Sequence, residues 1–268
     1  MGKFDGVMLV SDFDDTLTDR NSHISSENIK AIEYFVSRGG TFTVNTGRAP
    51  ASFVARHGEI PINAPVILSN GAIIHDFAKN ETLFHSWLDL RVREDCAAIA
   101  ERFPTVAFEA YHGETIYVHK PNKASLYHLE KMKLAYTVCP IEQMELAWNK
   151  VIFEQEHSEL LKVQAYVKEN FADRYEVVFS NPILLELTAV GCNKGTTMLR
   201  LADMLGISRE HVYAAGDNQN DLSMLRLAKM GFAPADCDIA LKEWGAKLVS
   251  ASDNHPVRDI VAVLDELY

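Results

Sequence analysis

The chain has 268 residues, of which 47% are hydrophobic and 24% are charged. This composition excludes wholesale disorder and a small disulfide-stapled scaffold, and the length predicts one large domain or two linked domains. The 37 acidic and 26 basic residues give a net charge of −11, which argues against partnership with nucleic acid or an anionic membrane. A small anionic substrate stays open, because a bound cation and a few basic side chains can reverse the local field.

Short apolar strands alternate with amphipathic helices over the first seventy residues. Strands are predicted at 7–10, 41–44 and 65–68, with helices from the cap Ser25 to Gly39 and around 52–57. This β-α-β-α-β order predicts a doubly wound, Rossmann-like parallel sheet in an α/β core.

The pattern changes near residue 72. Hairpins are predicted at 72–77 with 82–86 and at 107–111 with 115–119, and helices at 91–102 and 158–170, with Glu154 to His157 as a solvated helix start. The α/β alternation then resumes, with strands at 183–187, 211–215, 230–233 and 247–249 and helices at 196–205, 222–228 and from 257. We therefore predict a core formed by residues 1–71 and 182–268, with an inserted α+β domain at 72–181.

The four cysteines are widely separated and form no Cys-x-x-Cys pair, which is typical of reduced thiols. The amino-terminal segment has only a short apolar run before acidic residues begin, and no stretch is long enough to cross a bilayer. We therefore expect a cytoplasmic protein with no membrane partner.

Polar side chains follow four predicted strands at their carboxyl ends, where doubly wound sheets bind ligands. These segments are Asp12 to Thr16, Asn45 to Arg48, Asn193 to Gly195 and Gly216 to Asp221. Each segment alone is a weak signal, since acidic strand ends are often helix caps or turns. Their joint occurrence in this order predicts one polar site at one edge of the sheet.

The residue types in this site suit magnesium and a phosphoryl group. Mg²⁺ prefers one or two carboxylates plus water and phosphate oxygens, and Asp12 and Asp217 can supply the carboxylates. An EF-hand loop is excluded, because Leu17 or Leu222 stands where such a loop requires glycine. A carboxylate beside such a cation is placed to attack phosphorus, giving an aspartyl-phosphate.

Three other side chains complete the predicted chemistry. Lys194 would neutralise the attacking carboxylate and the phosphoryl oxygens, and the Thr46 hydroxyl would hold those oxygens. Asp14, two residues after Asp12, would donate a proton to the leaving group and later activate water.

The sequence resembles the haloacid dehalogenase superfamily, in particular its Cof-type phosphatases. The resemblance rests on four segments, which read Asp12-Phe13-Asp14-Asp15-Thr16-Leu17, Thr46-Gly47-Arg48, Lys194-Gly195 and Gly216-Asp217-Asn218-Gln219-Asn220-Asp221. The insert resembles the family's type IIB cap only in size and position.

The resemblance implies a role for each residue. Asp12 would be the nucleophile and Asp14 the general acid and base. Mg²⁺ would be held by Asp12, by the backbone carbonyl of Asp14 and by Asp217, with Asp221 supporting the metal shell. The residues implied in phosphate or substrate binding are Gly47, Arg48 and Asn220.

Two departures from the family pattern stand out. Asp15 replaces the usual glycine and adds a negative charge, and we expect its side chain to point away from the site. Many relatives have a Gly-Asn-Ala segment after the last motif, whereas this chain has Gly231-Phe232-Ala233.

We predict a magnesium-dependent phosphatase that hydrolyses a small phosphorylated metabolite, such as a sugar phosphate, as a monomer or homodimer. Three alternatives stay open. A phosphomutase would pass the phosphate to a second hydroxyl. A dehalogenase would not need Asp14. A response-regulator-like phospho-acceptor would carry its accepting Asp after the third strand, where this chain has Ser69-Asn70.

Overall fold

The computed structural model describes residues 2–113 and 115–268. Its strands are β1 (Met8–Ser11), β2 (Thr41–Val44), β3 (Val66–Leu68), β4 (Ile73–Asp76), β5 (Glu81–His85), β6 (Ala107–His112), β7 (Thr115–His119), β8 (Thr137–Val138), β9 (Lys150–Glu154), β10 (Tyr175–Asn181), β11 (Leu184–Ala189), β12 (Val212–Ala215), β13 (Met230–Pro234) and β14 (Lys247–Val249). Its helices are α1 (Ser26–Ser37), α2 (Pro50–His57), α3 (Val92–Arg102), α4 (Lys123–Met132), α5 (His157–Asn170), α6 (Lys194–Met204), α7 (Leu222–Leu227), α8 (Ile239–Trp244) and α9 (Pro256–Leu267). Among the described residues, none of these helices has the length and apolar character needed to cross a membrane.

The chain divides into two compact units. The first contains the residues up to Gly47 together with Val54–Leu83 and Asn193–Tyr268. The second contains Arg48–Phe53 and Phe84–Cys192.

The first unit is built on a parallel sheet, which in the described part of the chain has the order β14-β13-β12-β1-β2. Its central strands β1 and β12 are completely buried, as expected for apolar strands covered on both faces. A parallel bridge between Asn45 and Ile67 places β3 beside β2, and β4 and β5 extend β3 as antiparallel strands. Helix α1 packs against α9, and α6 packs against α7. The predicted doubly wound α/β core is confirmed.

Local sequence explains where the core helices begin. Ser25 caps α1 by accepting a hydrogen bond from the Asn28 amide. Asn193 caps α6 by accepting from the amides of Gly195 and Thr196, and the Thr196 hydroxyl completes a capping box. The second cap fixes the position at which Lys194 enters its helix.

The second unit is built on a sheet with the order β10-β11-β9-β6-β7-β8 among the described residues. All neighbours in this sheet are antiparallel except β7 and β8. One face carries Phe108 and Phe153, which pack with Trp148 in a large apolar core that includes residues of α3 and α5. The opposite face packs against α4 through a smaller cluster that includes Leu129 and Ile152. The second unit is thus an α+β fold.

The compact units differ from the predicted domain boundaries at 72 and 182. The strand predicted at 183–187 as part of the core is β11, which pairs with β9 and β10 in the second unit. Its apolar pattern fits a core strand equally well, and only the antiparallel pairing with β10 identifies its sheet. The second unit therefore continues to Cys192, while β4 pairs with β3 in the first unit.

Several elements were not predicted, namely α4, α8, β8, β9 and β10. Strand β9 was not predicted because it begins and ends with the charged residues Lys150 and Glu154, although all five of its residues are buried. The prediction that Glu154 begins a solvated helix is wrong for this residue, because Glu154 ends β9 and α5 begins at His157.

Candidate active site

Three strand ends of the parallel sheet are aligned by register. Ser11, the last residue of β1, lies opposite Val44 of β2 and Ala215 of β12. The ladder continues one residue further, because the Asp12 amide donates to the Ala215 carbonyl and the Asn45 amide donates to the Ser11 carbonyl. Asp12 and the segments that begin at Asn45 and Gly216 therefore emerge at the same edge of the sheet, as predicted.

The Lys194 ammonium joins two of these segments. Its Nζ lies 2.5 Å from Asp12 Oδ1 and 2.6 Å from Asp221 Oδ1, and all three side chains are buried. Asn45 Nδ2 donates to the Lys194 carbonyl at 2.9 Å, which ties the start of α6 to the end of β2. A buried ammonium between two carboxylates is the charge arrangement that makes such burial tolerable.

The loop after β12 wraps around the Asp221 carboxylate. Asp221 Oδ2 accepts hydrogen bonds from the amides of Asp217 and Asn218, each at 3.0 Å. A β-carbon on Gly216 would lie 2.3 Å from the Asp221 β-carbon and 2.7 Å from Asp221 Oδ2. Glycine is therefore required here by close approach, and the loop holds Asp217 beside the other carboxylates.

Asp12, Asp217 and Asp221 form a cluster that could hold a metal ion. One oxygen from each carboxylate lies within 4.8 Å of the others. The Thr16 hydroxyl donates to Asp217 Oδ1 at 3.0 Å and so orients this carboxylate. Three carboxylates around one ammonium leave a net negative charge, and hard oxygen donors suit a divalent cation of the magnesium type.

Burial dominates the electrostatics of the cluster. Burial raises the pKa of Asp12 to about 7; the attraction of Lys194 opposes this increase, and the repulsion of Asp221 adds to it. It also raises the pKa of Asp217 well above its usual range, with repulsion from Asp12 and Asp221 added. Burial disfavours the charged form of Lys194, yet the two carboxylates hold its pKa above the ordinary lysine value. The ammonium is therefore a fixed positive charge at neutral pH.

Asp14 and Asp15 follow Asp12 in a distorted turn. Asp14 is half-buried, and its charge contributes to the raised pKa of Asp12. Asp15 is exposed and has φ 58°, in the left-handed region that favours glycine and that Asp tolerates better than most residues. Glycine would adopt this backbone conformation without strain.

The remaining predicted residues take different positions. Thr46 is buried at the end of β2, and Gly47 follows it. Asn220 Nδ2 donates to Asn70 Oδ1 at 3.0 Å, which links the loop after β12 to the turn after β3. Arg48 is half-buried in the short segment that groups with the second unit.

The sequence predicted no role for Thr16 or Asn70. Thr16 lies in the predicted polar segment after β1, and Asn70 lies in the turn after β3, but a single hydroxyl or amide side chain has no distinctive sequence pattern. Asn70 Nδ2 and Asn220 Oδ1 are buried and have no hydrogen-bond partner among the described residues. A ligand bound beside the cluster could accept a hydrogen bond from Asn70 Nδ2 and donate one to Asn220 Oδ1.

Comparisons with known proteins place the chain in a family. The family model of haloacid dehalogenase-like hydrolases matches residues 9–260. The HMP-PP phosphatase of Escherichia coli is 27% identical over 223 residues, which cover 82% of this chain and 81% of that protein. The chloroplastic endoribonuclease YBEY of Arabidopsis thaliana is 29% identical over 236 residues, which cover 83% of this chain but only 40% of that protein.

A solved structure supports the fold over almost the whole chain. The HAD subclass IIB sugar phosphatase BT4131 superposes with a TM-score of 0.84 at 21% identity, covering 97% of this chain and 99% of that one. At this identity the likeness concerns the fold. The family match over residues 9–260 shows that the chain belongs to the haloacid dehalogenase-like hydrolases.

Proposed function

We propose that the protein hydrolyses a small phosphorylated metabolite in a Mg²⁺-dependent reaction, through a phosphoryl intermediate on Asp12. The observation that carries this proposal is the buried Asp12 carboxylate at the end of β1. It lies 2.5 Å from the Lys194 ammonium and within 4.8 Å of the carboxylates of Asp217 and Asp221.

In the first step, an oxygen of Asp12 attacks phosphorus and forms an acyl-phosphate bond. The bond from phosphorus to the ester oxygen breaks, and Asp14 gives its proton to that oxygen, so the alcohol leaves neutral. Lys194 balances the charge on the phosphoryl oxygens, and the Thr46 hydroxyl and the Gly47 amide hold them. Asn220 assists phosphate binding, and Arg48 contacts the rest of the substrate.

In the second step, water attacks the phosphorus of the intermediate. Asp14, now ionised, takes a proton from this water, the acyl-phosphate bond breaks, and the Asp12 carboxylate returns. Asp14 then carries the proton needed for the next turnover. One half-buried carboxyl group thus serves as acid and as base.

The donor set fits Mg²⁺, which would be held by the carboxylates of Asp12 and Asp217 and by the Asp14 carbonyl, with Asp221 supporting them. When bound, the ion supplies positive charge that favours ionised Asp12 and phosphate binding. Asp221 suits the supporting role, because its two oxygens already accept from Lys194 and from two backbone amides.

The relatives support a small phosphate ester as the substrate class. Of the similar proteins, one is an HMP-PP phosphatase and another is a sugar phosphatase, which supports a small phosphorylated compound as the substrate. We propose the same class for this chain, acting in the cytoplasm without a nucleic-acid or membrane partner, as a monomer or homodimer.

The proposal is tested by measuring phosphate release from a panel of phosphorylated metabolites, with and without EDTA. We expect release from at least one sugar phosphate or related monoester, loss of activity in EDTA and recovery on adding Mg²⁺. Full activity in EDTA would contradict the metal requirement. Conversion of a sugar 1-phosphate to its 6-isomer without free phosphate would identify a mutase instead.

A further inference from the structure

A second cluster of titratable side chains lies in the second unit and takes no part in the proposed phosphatase reaction. Glu109 lies on β6, Glu154 on the adjacent antiparallel strand β9, and His128 on α4, which packs against β6. Ala107 lies opposite Glu154 and Glu109 opposite Ile152, so the two glutamates point to the same face, one diagonal step apart. His128 reaches this face from the helix above it.

The three side chains converge on one small volume. His128 Nδ1 lies 3.1 Å from Glu109 Oε1 and 3.3 Å from Glu154 Oε1. One donor atom from each residue lies within 4.8 Å of the others. Both glutamates are completely buried and His128 is 8% exposed, so the cluster has little access to bulk water.

The Glu154 carboxylate lacks the hydrogen bonds that such burial requires. Neither of its oxygens has a hydrogen-bond partner among the described residues. His128 Nδ1 carries at most one proton and meets Glu109 with hydrogen-bond geometry. A buried carboxylate whose nearest cationic partner is an imidazole 3.3 Å away, shared with Glu109, is costly, so a further positive charge beside it would stabilise this face of the sheet.

A divalent cation would supply that charge. Two carboxylates and a neutral imidazole around such a cation give a cluster with no net charge. Tetrahedral Zn²⁺ with ligands at about 2.0–2.1 Å spaces its donor atoms about 3.3–3.4 Å apart, close to the two distances at His128 Nδ1. Mg²⁺ fits less well, because it favours oxygen ligands and retained water over a buried imidazole.

The surroundings hold one ligand in place. The Tyr111 hydroxyl donates to Glu109 Oε2 at 2.6 Å, which leaves Oε1 directed at the cluster. This is the outer hydrogen bond that carboxylate ligands of metals commonly accept. The nearby Lys150 ammonium pairs with Glu186 at 3.2 Å.

We propose that Glu109, His128 and Glu154 form a zinc site in the second unit that fastens α4 to strands β6 and β9. Because zinc ligands must be deprotonated, zinc binding should tighten as the pH rises.

The test is equilibrium dialysis of the purified protein against Zn²⁺ in the presence of excess Mg²⁺, which occupies the Asp12 cluster. We expect one zinc ion per wild-type chain and at least about 100-fold weaker binding in both Glu154→Gln and His128→Gln. Glu186→Gln is the matched control, because it makes the same change at another buried glutamate of the same sheet and should keep the zinc.

Equal zinc binding by wild type and Glu154→Gln would overturn the proposal, as would the absence of tight zinc from the wild type. Crystals of the wild type soaked in Zn²⁺ decide the matter if the variants fail to fold. An anomalous scattering peak bonded to His128 Nδ1 supports the site. Zinc found only at the Asp12 cluster, or at neither cluster, refutes it.

Discussion

Lys194 is the group whose removal perturbs the candidate active site most. Its ammonium is 1% exposed and contacts the carboxylates of Asp12 and Asp221 at 2.5 and 2.6 Å. The substitution Lys194→Met keeps most of the volume of the side chain but removes the charge. The buried carboxylates of Asp12 and Asp221 and the half-buried carboxylate of Asp217 then share a cluster without a cation.

The cost of this change follows from burial. Removing one partner of a buried ion pair destabilises a protein by about 3–5 kcal/mol, because the other charge is left uncompensated. In the metal-free wild type, burial already raises the pKa of Asp12 from 3.8 to about 7. Losing Lys194 removes the main opposing attraction and raises this pKa further. We therefore expect Lys194→Met to lower the free energy of unfolding by about 3–5 kcal/mol at pH 8.

The raised pKa of Asp12 also predicts how the free energy of unfolding changes with pH. The folded protein binds the Asp12 proton more tightly than the unfolded chain does, so stability falls as the pH rises from about 4 through the folded pKa. In Lys194→Met the pKa of Asp12 is higher, so the pH range over which stability falls extends above pH 7. The loss of unfolding free energy caused by Lys194→Met should therefore be at least about 1 kcal/mol smaller at pH 5, where Asp12 is protonated in the folded variant.

The assay is urea unfolding followed by circular dichroism in EDTA at pH 5 and pH 8. Lys229→Met is the control, because it makes the same change at an exposed ion pair, 3.7 Å from Glu210, and should cost less than about 1 kcal/mol. If Lys194→Met unfolded within 1 kcal/mol of the wild type at pH 8, or lost more stability at pH 5 than at pH 8, the electrostatic reasoning would be refuted.

Three further substitutions separate the other parts of the site. Asp14→Asn should lower kcat on alkyl phosphates by about 10²–10⁴ but much less on aryl phosphates, whose leaving groups need no proton; equal losses on both would argue against an acid role. Gly216→Ala forces a β-carbon to within 2.3 Å of Asp221, so the free energy of unfolding should fall by about 1–3 kcal/mol and kcat should fall with it, as urea unfolding and steady-state kinetics will show. Asp15→Gly occupies an exposed position at φ 58°, so it should change the free energy of unfolding by less than about 1 kcal/mol and leave kcat/KM within about 2-fold. A large loss of activity in this last variant would show that Asp15 acts in the site.

The α/β core and most of its site could be predicted from the sequence, because the patterns that indicate them lie within short segments of the chain. The apolar runs of β1 and β12 and the helix cap at Ser25 are recognised within a few residues. In a parallel sheet, polar residues at the strand ends must meet at one edge. This rule correctly placed Asp12 and Asp217 at one edge. Lys194 reaches the same site from the start of α6, although the strand before it, β11, belongs to the antiparallel sheet of the second unit and not to the core as predicted.

The second unit was less predictable because its pattern depends on pairing partners distant in the sequence. The strand β11 looks like a core strand until its antiparallel neighbours β9 and β10 are known. Glu109 and Glu154 are separated by 45 positions in the chain and resemble ordinary surface residues. Only the register of β6 against β9 reveals that both are buried on one face with His128.

The central claim is that the Asp12 carboxylate attacks phosphorus. Its most direct test is the turnover rate of Asp12→Asn on the best ester from the metabolite panel, with circular dichroism to show that the variant is folded. The account predicts a loss of at least about 10³-fold, because the amide keeps the shape of the side chain but is not a nucleophile. Hydrolysis by the folded variant at the rate of the parent would contradict it.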